Sequence, residues 1–355
     1  MIDLFPTLRQ QWTLPAAPRP IVVIGAGSIV RDAHLPVYKR LGFPVAGIFD
    51  VNSAASRALA DAFGNAAVFD SLDAALATPD VVFDVAVPPT AVSGILEHMP
   101  GGAPVLIQKP MGRDLADARR IRQLCRERRL TAAIHFQLRF APNMLALRDA
   151  LTHGLLGDIT DVEVRINLHT PLAYWAFLKG VPRLEVLMHS IHYLDLIRGL
   201  LGEPSGVYCR GARHPDLGDY ADARTSIILD YGDLIRCSLT MNHAHTFGTR
   251  DTVSQLKIEG RRGAAIAKMG VNLNYPHGEP DVLEIATPTT TWTNVPLRGS
   301  WFLEAFEGPM SNLQRVAAGE DSALVSSVED AFHTMAVVEA CYESSAHGAT
   351  PIVKD

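Results

Sequence analysis

Three short stretches of this 355-residue chain hold residues whose types and spacing suit proton and hydride chemistry. The first is PVLIQKPMG (104–112), an apolar run ended by Gln108, Lys109 and Pro110. Pro110 has no N–H and restricts the residue before it to extended backbone, so Lys109 is aimed rather than merely exposed. The second is HSIHYLDLIRGLLGEP (189–204), which sets His189 and His192 three apart in a helical pattern over 185–201. Imidazoles exchange protons near neutral pH. The third is IVVIGAGSIVRDAHLP (21–36), where Gly25-x-Gly27 separates an apolar run from a helical one. Oxidising an alcohol needs a hydride acceptor and a group that takes the hydroxyl proton, and these three stretches could supply such a set. Each also has a plainer reading: an edge lysine, satisfied core histidines, an ordinary glycine turn.

The elements that must position these residues fall into two rhythms. From 21 to about 140, short apolar runs (21–24, 45–49, 66–69, 81–87, 105–107, 131–135) alternate with helical segments. Strands that are apolar throughout, each followed by a helix, predict a parallel sheet covered on both faces, the doubly wound Rossmann arrangement of the α/β class. After 140 the pattern changes. A helix over 142–153 precedes DITDVEVRINLHT (158–170), which alternates apolar and polar residues with period two. Strand-like runs follow the histidine helix at 207–211, 224–229, 235–241 and 253–258, and helices close the chain at 301–318, with a kink or break expected at Pro309, and 328–345. This predicts an α+β second domain with a mostly antiparallel sheet. The expected boundaries are an N-terminal arm over 1–20, a dinucleotide-binding domain over 21–140 and a substrate-binding and oligomerisation domain over 141–355.

Ligands of an open parallel sheet sit beyond the carboxyl ends of its strands. Gly25 would make the tight turn after the first strand. Gly27 would admit a pyrophosphate, with Ser28 and Ile29 opening the helix whose N–H groups face it. The third position of the fingerprint holds Val30 rather than Gly or Ala, so the motif is incomplete. Asp50 ends the second strand in VAGIFDVN, followed by Val51. A carboxylate there accepts from both ribose hydroxyls and repels a 2′-phosphate, which favours NAD over NADP. Asp50 could instead serve the loop or cap the next helix. Pro88 and Pro89, in VAVPPT (85–90), stiffen the loop after the fourth strand, near where a nicotinamide would lie.

Composition excludes several classes. Net charge is −6, with 48% hydrophobic and 20% charged residues and no Lys/Arg cluster, which speaks against nucleic acid. No run approaches the roughly 18 apolar residues of a membrane span. The four cysteines are scattered, without metal-like spacing, and fit a reducing, cytoplasmic setting.

LIQKPMG resembles the Glu-Lys-Pro motif of the glucose–fructose oxidoreductase / inositol dehydrogenase (Gfo/Idh/MocA) family. HSIHYLDLIRGLLGEP is similar to that family's histidine helix, and VAVPPT to its loop after the fourth strand. The resemblance implies an N-terminal Rossmann domain, an open-faced C-terminal sheet, a nicotinamide cofactor and a sugar or polyol substrate. It implies catalysis by Lys109, an acid/base role for His192, and a nicotinamide-side contact by Gln137. Gln108 replaces the motif's glutamate, and the loss of an anion beside Lys109 should lower its pKa. Met188 stands four residues before His192, where many relatives carry aspartate, and His189 could substitute.

Further substrate contacts are expected from His189, His169, His243, Arg139, which could equally be a surface residue, and Tyr174 with Trp175, whose rings could stack on a sugar or simply fill a core. His189 and His192 could also bind metal with help from His243 and His245, but no carboxylate partner is evident, so no metal is assigned. The leading expectation is an NAD-dependent dehydrogenase acting on a sugar, glycoside or polyol. A redox-neutral epimerase or lyase and a non-catalytic dinucleotide/sugar sensor are the alternatives. The half-covered second sheet suggests a homodimer or homotetramer.

Overall fold

The computed structural model describes residues 5–352 apart from 65, 275 and 276. The chain forms two compact units. One comprises Gln10–Pro142 and Trp301–Met335. The other comprises Asn143–Ser300 together with the segments up to Arg9 and from Ala336 onward.

The first unit is built on six parallel strands: β1 (Ile21–Ile24), β2 (Val45–Phe49), β3 (Ala67–Val68), β4 (Val82–Val85), β5 (Pro104–Ile107) and β6 (Thr131–Ile134). Their order, β3-β2-β1-β4-β5-β6, reverses direction beside β1, the switch point of a doubly wound sheet. Helices α1 (Leu35–Leu41), α2 (Ser53–Ala62), α3 (Leu72–Leu76), α4 (Val92–Leu96) and α5 (Leu115–Glu127) connect them. β1 and β5 read as unbroken apolar runs because both of their faces are covered; Ile21–Ile24 and Val105, Leu106 and Ile107 are buried. Side-chain caps start several helices, with Asn52 accepting from the amides of Ala54 and Ala55, and Asp114 from that of Asp117.

The second unit holds an eight-stranded sheet. Its strands are β7 (Ile159–Asn167), β8 (Gly206–Ala212), β9 (Arg224–Asp230), β10 (Arg236–Asn242), β11 (Val253–Gly260), β12 (Gly263–Lys268), β13 (Val282–Thr287) and β14 (Thr290–Asn294), in the order β14-β13-β12-β11-β7-β10-β9-β8. All pairs are antiparallel except β7 with β10. Val162, Val164, Ile166, Leu239, Met241, Leu256 and Ile258 bury one face. Helices α6 (Pro142–Thr152) and α7 (Ile191–Leu201) belong here, with α7 preceded by a π turn at Val186–Ser190. The fold class is as the sequence predicts.

The compact units do not follow chain order. The segment around α8 (Glu307–Ala317), assigned by sequence order to the second domain, joins the nucleotide-type unit and packs on β5 and β6. A Cβ on Gly308 would come 2.2 Å from the ring of Phe140, so the contact needs glycine. Pro309 does not break this helix but stands in its first turn, where its missing N–H costs nothing. The arm over 1–20 is not one piece. From Gln10 onward it lies along the same segment: Trp12 donates to Asp321 at 3.1 Å, and the Arg19 amide to Gln314 at 2.7 Å. The last helix, α9 (Val328–His347), begins in one unit and ends in the other.

The outward sheet face is largely polar, as the alternation in β7 implies. Its centre carries ion pairs, with Asp161 held by Arg236 at 2.5 Å and Lys257 at 3.2 Å, and Arg165 on Asp251 at 2.9 Å. Exposed apolar side chains are found at its end, where Tyr208 and Ile228 face each other across β8 and β9. Among the described residues no helix is long and apolar enough to cross a membrane, and the four cysteines are buried and free.

Candidate active site

All six strands of the first sheet run the same way, so their carboxyl ends share one edge. Gly25 follows β1 with φ +110°, and a Cβ there would lie 2.2 Å from the carbonyl oxygen of Ala86. Only glycine passes this turn. Nothing lies within 4 Å of a Cβ on Gly27, which leaves room for a bulky anion against the backbone. The helix that opens at Ser28 and Ile29 directs first-turn N–H groups, which have no intrahelical acceptor, toward that space. Val30 is buried and begins a π turn, Val30–His34, ahead of α1.

Asp50 follows β2 and clasps the turn. One carboxylate oxygen accepts from the Ala26 amide at 2.7 Å, the other from Asn52 at 2.8 Å. Each oxygen keeps a further lone pair for a ribose hydroxyl. The loop reading and the cofactor reading of Asp50 are therefore compatible. Val51 beside it is almost wholly exposed. Pro88 and Pro89 follow β4 in a turn closed by the Ala91 amide on Pro88 at 2.9 Å. The glycine turn, the open space and the carboxylate fit an adenine dinucleotide.

Lys109 follows β5 at this edge, joined to Pro110 by a cis peptide. It is half-buried, and desolvation brings its pKa down from 10.5 to about 8. Behind it runs a buried polar chain. The Lys109 amide donates to Gln108 Oε1 at 2.7 Å, Gln108 Nε2 lies 3.2 Å from His34 Nε2, and His34 Nδ1 lies 2.8 Å from Asp84. Tyr38 also donates to Asp84, at 2.9 Å. His135 stacks on His34 at 4.7 Å, and burial, with His34 adjoining, pushes it down to about 3. Gln137, after β6, is buried with no hydrogen bond to its amide oxygen.

In the second unit, Glu185, His189 and His192 follow one another at i, i+4 and i+7 on one helical face. His192, in the first turn of α7, is buried. Glu185 is completely buried and accepts from Ser190 at 2.8 Å and Thr225 at 2.5 Å. His243 comes from the end of β10, with its Nδ1 2.7 Å from Thr170 Oγ1, its Nε2 3.4 Å from Glu185 Oε1 and its ring 4.4 Å from that of His189.

Matches to family models cover nearly all of the chain. Residues 19–136 match the NAD-binding Rossmann fold of the Gfo/Idh/MocA oxidoreductase family, and residues 148–353 match that family's C-terminal alpha/beta domain. The chain belongs to the Gfo/Idh/MocA oxidoreductase family. Its first unit thus carries the family's NAD-binding domain. The D-glucoside 3-dehydrogenase of Escherichia coli is 27% identical over 201 residues, 54% of this chain and only 56% of that protein. The D-apiose dehydrogenase of Paraburkholderia graminis is 25% identical over 94% of this chain and 89% of its own length. An oxidoreductase from Agrobacterium radiobacter, solved with NAD+, L-tartaric acid and magnesium, shares the fold with TM-score 0.80 at 20% identity, covering 94% of this chain and 98% of that one.

Within this Gfo/Idh/MocA chain, not every expected contact is available. Arg139 is buried, with its guanidinium on Asp330 at 2.8 Å and on the Val325 carbonyl at 3.0 Å. These partners tie Arg139 to the start of α9. Trp175 packs on the small cluster of Leu172, Leu178 and Leu184, whereas Tyr174 is exposed and meets Trp175 edge-on at 5.3 Å. His169 is exposed, bridged through its backbone to Ala244. Three residues escaped the sequence reading. Asp84 interrupts an otherwise apolar strand, which was itself a signal that it has a buried partner. His34 is that partner. Glu185 precedes His189 by one helical turn, a spacing legible in the sequence.

Proposed function

We propose that this chain catalyses reversible hydride transfer between NAD and a secondary alcohol carbon of a sugar, glycoside or polyol. One observation carries the reading. Gly25, Asp50, Pro88, Lys109 and Gln137 all follow carboxyl ends of parallel strands in one sheet, the edge where such sheets take their ligands. Gly25, Gly27, Ser28 and Ile29 would hold the pyrophosphate, and Asp50 the adenosine ribose with Val51 beside it. Pro88, Pro89, Gln108 and Gln137 would border the nicotinamide, which supplies the hydride acceptor when bound. Lys109 polarises the substrate oxygen. With a pKa of about 8 its amine changes protonation close to neutral pH, so it can hold or release a proton at that oxygen. His192 takes the hydroxyl proton during oxidation and returns it during reduction. Tyr174 offers a face to a sugar ring. Relatives named for a glucoside and for apiose support a carbohydrate substrate. A second copy of the chain would cover the sheet at Tyr208 and Ile228, giving the homodimer or homotetramer that light scattering tests.

The test is a panel of sugars and polyols with NAD and NADP, read by reduced-nicotinamide absorbance and by product analysis. The reading expects NADH to accumulate with at least one carbohydrate. Conversion of a sugar without NADH accumulation would replace it by the redox-neutral epimerase or lyase. Unchanged biological activity in Lys109→Ala and His192→Ala would replace it by the sensor.

A further inference from the structure

Glu185, His189 and His243 bring three ligand-type atoms together, each within 4.8 Å of the other two. We propose that they bind a divalent transition-metal ion of the zinc class through one carboxylate and two imidazoles. The site lies within the second unit and does not depend on the hydride-transfer reading.

The carboxylate is the first argument. Glu185 is completely buried, and its hydrogen bonds come from the hydroxyls of Ser190 and Thr225, which orient it without neutralising it. Among the described residues no lysine or arginine pairs with it; its ionic neighbour is His243. A buried carboxylate without a cation is strongly disfavoured.

The distance to His243 is the second argument. Nε2 lies 3.4 Å from Glu185 Oε1, and no hydrogen bond reaches that nitrogen. A charge-assisted N–H···O bond would close to about 2.7–2.9 Å. Two ligands, each about 2.0–2.1 Å from one tetrahedral zinc ion, stand roughly 3.4 Å apart. The pair therefore has the separation of co-ligands and is too wide for a close direct hydrogen bond. The other nitrogen of the ring, Nδ1, is 2.7 Å from Thr170 Oγ1. Donation from Nδ1 to that hydroxyl would leave the Nε2 lone pair facing the carboxylate, and such a hydroxyl is a usual outer partner of a ligating histidine.

His189 completes the set. It stands one helical turn after Glu185, on the same face, with its ring 4.4 Å from that of His243 and inclined at 31°. Two nitrogens and one carboxylate oxygen suit zinc, or another first-row divalent ion, better than magnesium or calcium. Three protein ligands leave a coordination position for an oxygen donor, as catalytic rather than purely structural ions have.

The test uses tag-free, chelator-stripped full-length protein dialysed against zinc and then against metal-free buffer, with metal measured by mass spectrometry. Roughly one zinc per chain is expected to remain, and its Tm should rise with zinc. Glu185→Gln, His189→Ala and His243→Ala should each lose most of the retained metal, while His153→Ala, at an exposed histidine just after α6, should keep it. Cobalt added to the unmodified protein should give visible d–d absorption that zinc abolishes, a readout independent of whether any variant folds. No retained zinc and no cobalt spectrum in the unmodified protein would overturn the proposal, leaving Glu185 and His243 as an imidazolium–carboxylate pair. Retention unaffected by Glu185→Gln and His243→Ala would overturn it equally.

Discussion

Gln108 spans Lys109 and His34. Its Oε1 accepts the Lys109 amide at 2.7 Å, while its Nε2 lies 3.2 Å from His34 Nε2. A backbone N–H can only donate, so the amide oxygen must face Lys109 and the amide nitrogen must face the imidazole. His34 Nε2 is then the acceptor, and Nδ1 carries the proton given to Asp84 at 2.8 Å. Glutamine is the side chain that accepts on one side and donates on the other. A glutamate could do the second only if protonated.

From this follows the effect of Gln108→Glu. The new carboxylate adds an anion next to Lys109 and favours its ammonium form, raising a pKa that now stands at about 8. The alkaline-side dependence of kcat/KM should move up by about one pH unit. A pH–rate profile identical to that of the parent protein would contradict the role given to Gln108.

Burial of the Lys109 ammonium also has a stability signature. Below about pH 8 both folded and unfolded chains carry the proton, and the folded chain bears the full cost of the buried cation. Between about 8 and 10.5 the unfolded chain binds more protons, so this site's contribution to stability rises with pH. Lys109→Met should therefore be more stable than the parent at neutral pH, by roughly 1–3 kcal/mol. The gap should close as pH climbs through that window. Denaturant unfolding at a series of pH values measures it, and a gap independent of pH would refute the assignment.

Much of this architecture was legible because burial on two faces leaves an unambiguous trace: β1 and β5 are apolar runs between helices. The later strands were harder. β12 (GAAIAK) buries only Ala265 and Ala267, which carry little hydrophobic signal, and β14 (TTWTN) lies at an edge with most of its side chains exposed. The return of α8 to the first sheet could not be read from chain order, because it depends on packing between segments far apart in sequence. At the candidate site, Lys109 announced itself through Pro110, whereas Glu185 looked like an ordinary helix-start acid until its burial was known.

Asp50 should show two effects at once. Asp50→Ala removes the acceptor for the Ala26 and Asn52 amides and the carboxylate proposed for the ribose. Stability should fall by about 1–2 kcal/mol. The KM for NAD should rise at least tenfold, by the order expected for lost charged hydrogen bonds, while the preference over NADP narrows. Steady-state kinetics with both cofactors decide this; an unchanged NAD/NADP ratio would remove Asp50 from cofactor selection.

Arg139→Ala should behave as a structural lesion. It leaves Asp330 and the Val325 carbonyl without their buried partner and should cost about 2–4 kcal/mol of stability. In the fraction that remains folded, substrate KM should be unchanged. A large KM effect with normal Tm would restore Arg139 as a ligand contact.

The central claim, that Lys109 and His192 handle the hydroxyl proton while hydride passes to NAD, is tested most directly by single-turnover NADH formation on the first carbohydrate found to be a substrate. Lys109→Met and His192→Asn should each slow the absorbance rise by about two to four orders of magnitude while NAD still binds. NADH formation at the parent rate in either variant would contradict it.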